Sequence, residues 1–277
     1  LHPYYADAWN SLGLVWYLRG SRERAGACYR EALSVNPAHA LALNNLGYLA
    51  FEQGRYDDAI RAFRSALASE PILLEGRYHL GLALLATGDL DGAGQSFAEV
   101  IRRSPALAKA WSAWGVVLMK QGEVDAARGK FERAIKEQPD LIEARINLGY
   151  VWMEKDMPDK ALPLFLVALE TQPDNPEIQH VYGMALGKLG RLDEAMPYLQ
   201  RAIQAAPHRG DWMLETARLL MSQSTEGKDF TSDALILAER AYYLSKNTSQ
   251  HAADVIAEIR KIQGEGKPST DLPTPLP

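Results

Sequence analysis

Residues 9–37 read WNSLGLVWYLRGSRERAGACYREALSVNP, and the spacing of their apolar residues decides the fold. Trp9, Leu12, Gly13 and Trp16 follow one another at three or four residues and share one helical face. Ala25, Tyr29, Ala32 and Leu33 make a second such face. Gly20 stands between them, where a glycine in the left-handed conformation ends one helix and lets the chain reverse. Pro37 has no amide hydrogen and stops the second helix. The stretch therefore predicts a helical hairpin.

The hairpin recurs. Prolines stand at Pro3, Pro37, Pro71, Pro105, Pro139, Pro173 and Pro207, always 34 residues apart. Gly13, Gly47, Gly81, Gly115, Gly149 and Gly183 keep the same step, as do Ala25, Ala59, Ala93, Ala127, Ala161 and Ala195. A fourth series runs Tyr29, Phe63, Phe97, Phe131, Phe165 and Leu199. Four series in one phase establish an internal repeat. The turn glycine is kept at Gly54, Gly88, Gly122 and Gly190, while Asp156 takes its place in the fifth unit, a poorer residue for a left-handed turn. Acidic residues follow each turn (Asp57, Asp89, Glu123, Asp159, Asp193), where the next helix N-terminus favours negative charge. One hairpin cannot bury its own apolar face, so stacked neighbours must form a continuous core.

Trp9, Leu12, Gly13, Trp16, Ala25, Tyr29 and Pro37 nearly reproduce the signature Trp-x2-Leu-Gly-x2-Tyr, Ala-x3-Phe, Pro. On those residues the chain resembles the tetratricopeptide repeat family, over six units at 6–39, 40–73, 74–107, 108–141, 142–175 and 176–209. The resemblance implies an all-α solenoid of tandem helix-turn-helix units, coiled into a right-handed superhelix. First helices would lie on its concave side and second helices on its convex side. Such arrays serve unrelated tasks, so the resemblance fixes the fold and not the role.

Both ends depart from the pattern. Pro3 is in phase with the repeat-ending prolines, so residues 1–5 are expected to be the remnant of a preceding repeat, or else an N-terminal extension. Residues 210–263 read as a degenerate seventh hairpin plus a capping helix, since terminal repeats need a more polar outer face. Residues 264–277 contain Pro268, Pro273, Pro275 and Pro277 and too little apolar content to pack, so a flexible tail is expected.

A formal charge of −5 argues against a nucleic-acid partner, which would call for a basic surplus. Cys28 is the only cysteine, which excludes an internal disulfide and a cysteine-based zinc site. The longest apolar run, 161–169, is about half of what spans a bilayer. Membrane association is thus expected only through sequence upstream of Leu1, and a soluble domain, cytoplasmic or periplasmic, is the reading for the rest. The six histidines (His2, His39, His79, His180, His208, His251) show no metal-ligand spacing. No nucleophile elbow, phosphate-binding loop or Cys/His pair occurs. The expectation is no enzyme, no cofactor, no metal and no small-molecule substrate. The tryptophans Trp9, Trp16, Trp111, Trp114 and Trp152 are assigned to packing.

The family's geometry turns the residues between the packing positions toward the groove. In order these include Asn10, Leu14 and Tyr17; Asn44, Asn45, Tyr48 and Phe51; Tyr78, His79, Leu82 and Leu85. Ser112, Val116 and Met119 follow, then Ile146, Asn147, Tyr150 and Met153, then His180 and Met184. Tyr gives rigid contact area with a polar tip, Met adapts to irregular shapes, and Asn can bond an extended backbone from either side. The carboxylate clamp of chaperone adaptors does not fit, because only Asn45 matches it and Glu75 would repel a carboxylate. On the convex side the fifth unit has Leu166 and Val167 where other second helices carry charge, and Leu162 and Leu164 add to them. These residues either tuck under adjacent units or form a second interface.

The reading is a protein-protein interaction scaffold or assembly adaptor, with a protein or peptide segment containing apolar or aromatic residues in its groove. Two alternatives stand beside it. One is the regulatory portion of a longer enzyme, such as a membrane glycosyltransferase. The other is a structural subunit of a homo-oligomer or filament.

Overall fold

The structure, a computed structural model, describes residues 4–224, 229–246 and 248–263. The expectations for residues 1–3 and for the tail 264–277 lie outside these. Among the described residues there are fifteen α-helices and no strand. They run as tandem pairs: α1 (Tyr4–Leu18) with α2 (Arg22–Val35), α3 (Ala40–Glu52) with α4 (Tyr56–Ser69), α5 (Leu74–Thr87) with α6 (Leu90–Arg103), and α7 (Ala108–Lys120) with α8 (Val124–Glu137). Then come α9 (Ile142–Glu154) with α10 (Pro158–Thr171), α11 (Pro176–Lys188) with α12 (Leu192–Ala205), and α13 (Gly210–Gln223) with α14 (Thr231–Leu244). A single helix, α15 (Gln250–Ile262), follows. The chain divides within α9 into two compact units, Leu1–Asn147 and Leu148–Pro277.

Local chemistry makes the hairpins. Gly20, Gly54, Gly88, Gly122 and Gly190 follow first helices with φ between 72° and 85°, a conformation closed to most side chains. Asp156 adopts φ 53° in the fifth hairpin, and its carboxylate pairs there with Lys188 at 3.3 Å. Asp89 caps α6 by accepting from the amide of Gly92 at 3.0 Å. His39 caps α3 with Nδ1, which accepts from the amide of Ala42 at 3.1 Å, while Nε2 reaches Asp7 on α1 at 2.9 Å. One histidine thus starts a helix and ties two hairpins together.

The repeated small and aromatic residues form the interior. Ala25, Ala59, Ala93, Ala127, Ala161 and Ala195 are fully buried, and Tyr29, Phe63, Phe97, Phe131, Phe165 and Leu199 are at most 1% exposed. Within the two units α3, α5, α7, α11 and α13 each pack against the second helix before them. In the first unit this buries Leu49, Ala83 and Val117. Val15, at the same place in α1, is 44% exposed, and Trp9, assigned to packing from its spacing, is 36% exposed. No helix precedes α1 among the described residues to cover them. None of the described helices is long and apolar enough to cross a membrane.

Candidate functional site

Side chains 31 or 35 residues apart on successive first helices meet, and the candidate site is built from these meetings. In the first unit, Asn10 and Asn45 are joined by a 2.9 Å bond from Nδ2 of Asn45 to Oδ1 of Asn10. Tyr17 lies 6.0 Å from Tyr48 in an edge-to-face pair, and Tyr48 continues to Phe51 at 6.3 Å and to His79 at 4.8 Å. The hydroxyl of Tyr17 donates to Glu52 at 2.5 Å, and the Arg22 guanidinium lies 4.4 Å over its ring. Burial and the Glu52 carboxylate raise the pKa of this phenol. Tyr17, Asn45, Tyr48, Phe51, Tyr78, His79, Leu82, Met119, Ile146 and Asn147 are all half-buried, and Leu14 is exposed. The half-buried rings of Tyr17, Tyr48, Phe51, His79 and Tyr78 therefore form a continuous aromatic row.

A cavity of about 290 Å³ adjoins it, lined by Tyr78, Lys109, Ser112, Ala113, Val116, Leu141 and Glu143. Burial raises the pKa of Tyr78, with the Glu143 carboxylate adding to it.

Three groove assignments are corrected in this unit. Asn44 is 1% exposed, with Oδ1 standing 3.1 Å from Nδ1 of His79, Ser112 is 7% exposed and Asn10 is 9% exposed. All three are buried polar groups. Their spacing is that of the inward row, but α3 lies against Asn10 and α5 against Asn44.

In the second unit Tyr150 is 38% exposed and Met153 and Met184 are half-buried, whereas His180 is 2% exposed. The Trp212 ring lies flat against His180, with centroids 4.8 Å apart and planes inclined by 10°. Sequence reasoning stopped the inward row at Met184 because the repeat decays after Arg209. The row continues on α13 with Asp211, Leu214, Glu215 and Arg218, and a step of 34 from His180, Val181 and Met184 would have reached the last three. These residues border a cavity of about 510 Å³, closed on its other sides by Leu244, Ser245, Ser249 and His251.

On α10, Leu166 and Val167 are 39% and 38% exposed. Leu164 is half-buried, and Leu162 packs against the core that contains Ala195 and Leu199. Tucking under a neighbour thus accounts for Leu162 and leaves Leu166 and Val167 open. Among the described residues no group of three His, Cys, Asp or Glu side chains is placed to hold a metal ion.

Two family models described as tetratricopeptide repeat match the chain, one over residues 19–71 and 46–108 and one over residues 78–227. No curated protein matches it. Among solved structures, that of PilF from Pseudomonas aeruginosa is similar with a TM-score of 0.69 at 18% identity, over 77% of this chain and 97% of the other. A thermophilic tetratricopeptide repeat protein of Thermus thermophilus gives 0.55 at 25% identity, over 65% and 98%. The Cut9–Hcn1 hetero-tetramer of APC/C gives 0.74 at 15% identity, over 83% of this chain and 44% of that one.

Proposed function

The chain belongs to the tetratricopeptide repeat family, and on that premise we propose that it is a non-catalytic scaffold whose first helices grip a polypeptide segment rich in apolar and aromatic residues. The observation that carries this reading is the row Tyr17–Tyr48–Phe51 with His79 and Tyr78. Its rings touch one another at 4.8 to 6.3 Å and stay half-buried, with the 290 Å³ cavity at one end. Rigid aromatic residues bordered by a cavity are what anchors in an interface require. A bound segment loses little by meeting side chains already held in place.

Tyr48→Ala with Tyr78→Ala tests it. Each removes an anchor worth about 2 kcal/mol, and both also pack on the core of the first unit. Some loss of stability is therefore expected, and binding must be measured at a temperature where the variant is folded. Unchanged capture of partners by a folded double variant would sink the groove reading.

A second reading is favoured by α10. Leu166 and Val167 stand where Glu132 and Arg133, or Arg30 and Glu31, stand on other second helices. We propose that these two residues, with Leu164 beside them, form a second interface for another subunit.

A further inference from the structure

The inference rests on the groove reading above and names the chemistry of one segment of the partner. In the second unit, Glu177 and Asp211 occupy the first turns of α11 and α13, where the helix dipole favours carboxylates. Asp211 is also held by Arg209 through bonds of 2.6 to 3.0 Å. Glu215 has no such bond, although the Arg209 charge also reaches it. It stands in the second turn of α13, and among the described residues no side chain or backbone amide donates a hydrogen bond to it. Burial and the neighbouring Asp211 charge raise its pKa, outweighing the Arg209 charge that lowers it.

The group facing it is a buried imidazole. Nε2 of His180 stands 3.7 Å from Oε2 of Glu215, beyond hydrogen-bond length, and has no hydrogen-bond partner among the described residues. The Trp212 ring flat against it keeps it from turning elsewhere. Burial lowers its pKa to about 4, so the ring is neutral and adds no charge. With its proton on Nδ1, it offers Nε2 as an acceptor beside the carboxylate.

In that tautomer a charged and a neutral acceptor stand 3.7 Å apart, with no donor between them among the described residues. The Tyr150 hydroxyl lies 3.5 Å from Glu177, and the charges of Glu177 and Glu215 add to the burial that raises the pKa of this phenol. The exposed Tyr150 ring adds a face that attracts cations. Beside Glu215 opens the 510 Å³ cavity, large enough in volume for a side chain. Arg218 and His251, 3.4 Å from one another, line the same cavity with His208, Asp211 and Glu215.

We propose that Glu215, with Glu177 and Nε2 of His180, receives a lysine or arginine side chain of the polypeptide held in the groove. Its N–H groups supply hydrogen bonds to both acceptors and a positive charge of their own.

The test pans a display library of random seven-residue peptides against the intact chain, Glu215→Gln and, as a charge-keeping control, Glu215→Asp. Circular dichroism melts establish that each is folded. The wild type is expected to enrich apolar and aromatic residues together with Lys or Arg at one fixed position. Glu215→Gln should keep the first preference and lose the second. A synthetic copy of a selected peptide should bind the wild type about tenfold more weakly when its basic residue becomes Gln, whether or not Glu215→Gln folds. Peptides without a basic preference, or the same preference in folded Glu215→Gln, overturn the cation receptor and leave the groove reading standing. No enrichment of any sequence by the wild type overturns both.

Discussion

A β-carbon added to Gly115 on α7 would stand 2.5 Å from Cε1 of Phe131 on α8. The ring is fully buried and has nowhere to go. The same glycine–aromatic pair recurs at Gly47 with Phe63 and at Gly81 with Phe97. Helix propensity alone favours Ala over Gly by about 1 kcal/mol, yet the crowded ring outweighs it. Gly115→Ala is expected to destabilise the array by about 1 to 3 kcal/mol, and Gly115→Leu by more. Hydrogen exchange should place the damage around α7 and α8, because arrays are held by nearest-neighbour contacts. Uniform loss of protection along the chain would contradict that.

His79 and His180 predict a pH dependence. Burial lowers the pKa of each to about 4, against about 6.5 in an unfolded chain. Between those values the unfolded state binds more protons than the native one, so stability falls as pH drops through that window. It is at its full value above about pH 6.5. Each histidine contributes up to the order of 3 kcal/mol of this loss. Thermal melts at pH 7 and pH 4.5 should show a smaller difference for His79→Gln with His180→Gln than for the wild type. An equal difference would mean that neither ring is protonated only on unfolding.

Val15 and Val117 occupy the same repeat position, one 44% exposed and the other fully buried. Val117→Ala leaves a cavity against α6 and is expected to cost about 2 to 3 kcal/mol. Val15→Ala should stay within about 0.5 kcal/mol. Urea unfolding of the two variants measures both. Equal costs would mean that the α1 face is covered in solution.

Leu166 and Val167 already bury more than half of their surface, so covering the rest contributes about 1 kcal/mol each. Leu166→Glu with Val167→Arg should leave the fold intact, since other second helices use these residue types, and should lower the mass measured by light scattering at a concentration where the wild type associates. A wild type that stays monomeric and keeps every partner in the variant ends the case for this interface.

The sequence by itself determined the hairpin and its repetition, because every signal involved is local. A left-handed Gly20, an acidic first turn at Asp89 and a proline at Pro37 act within a few residues of where they stand, and a 34-residue step carries them along the chain. The packing of Phe131 on Gly115 of its own hairpin came from the structure, because the sequence pattern places both residues on buried faces without saying which meets which. Exposure of the inward row was decided only by the tertiary structure. Asn44 and His180 share the position of the half-open Tyr78, but whether such a side chain meets solvent depends on what the next first helix lays over it. His79 closes over Asn44 and Trp212 over His180. The acceptors of Glu215 and His180 come together for the same reason: their residues are 35 apart in sequence, and no local pattern records a contact that exists only once two first helices have stacked.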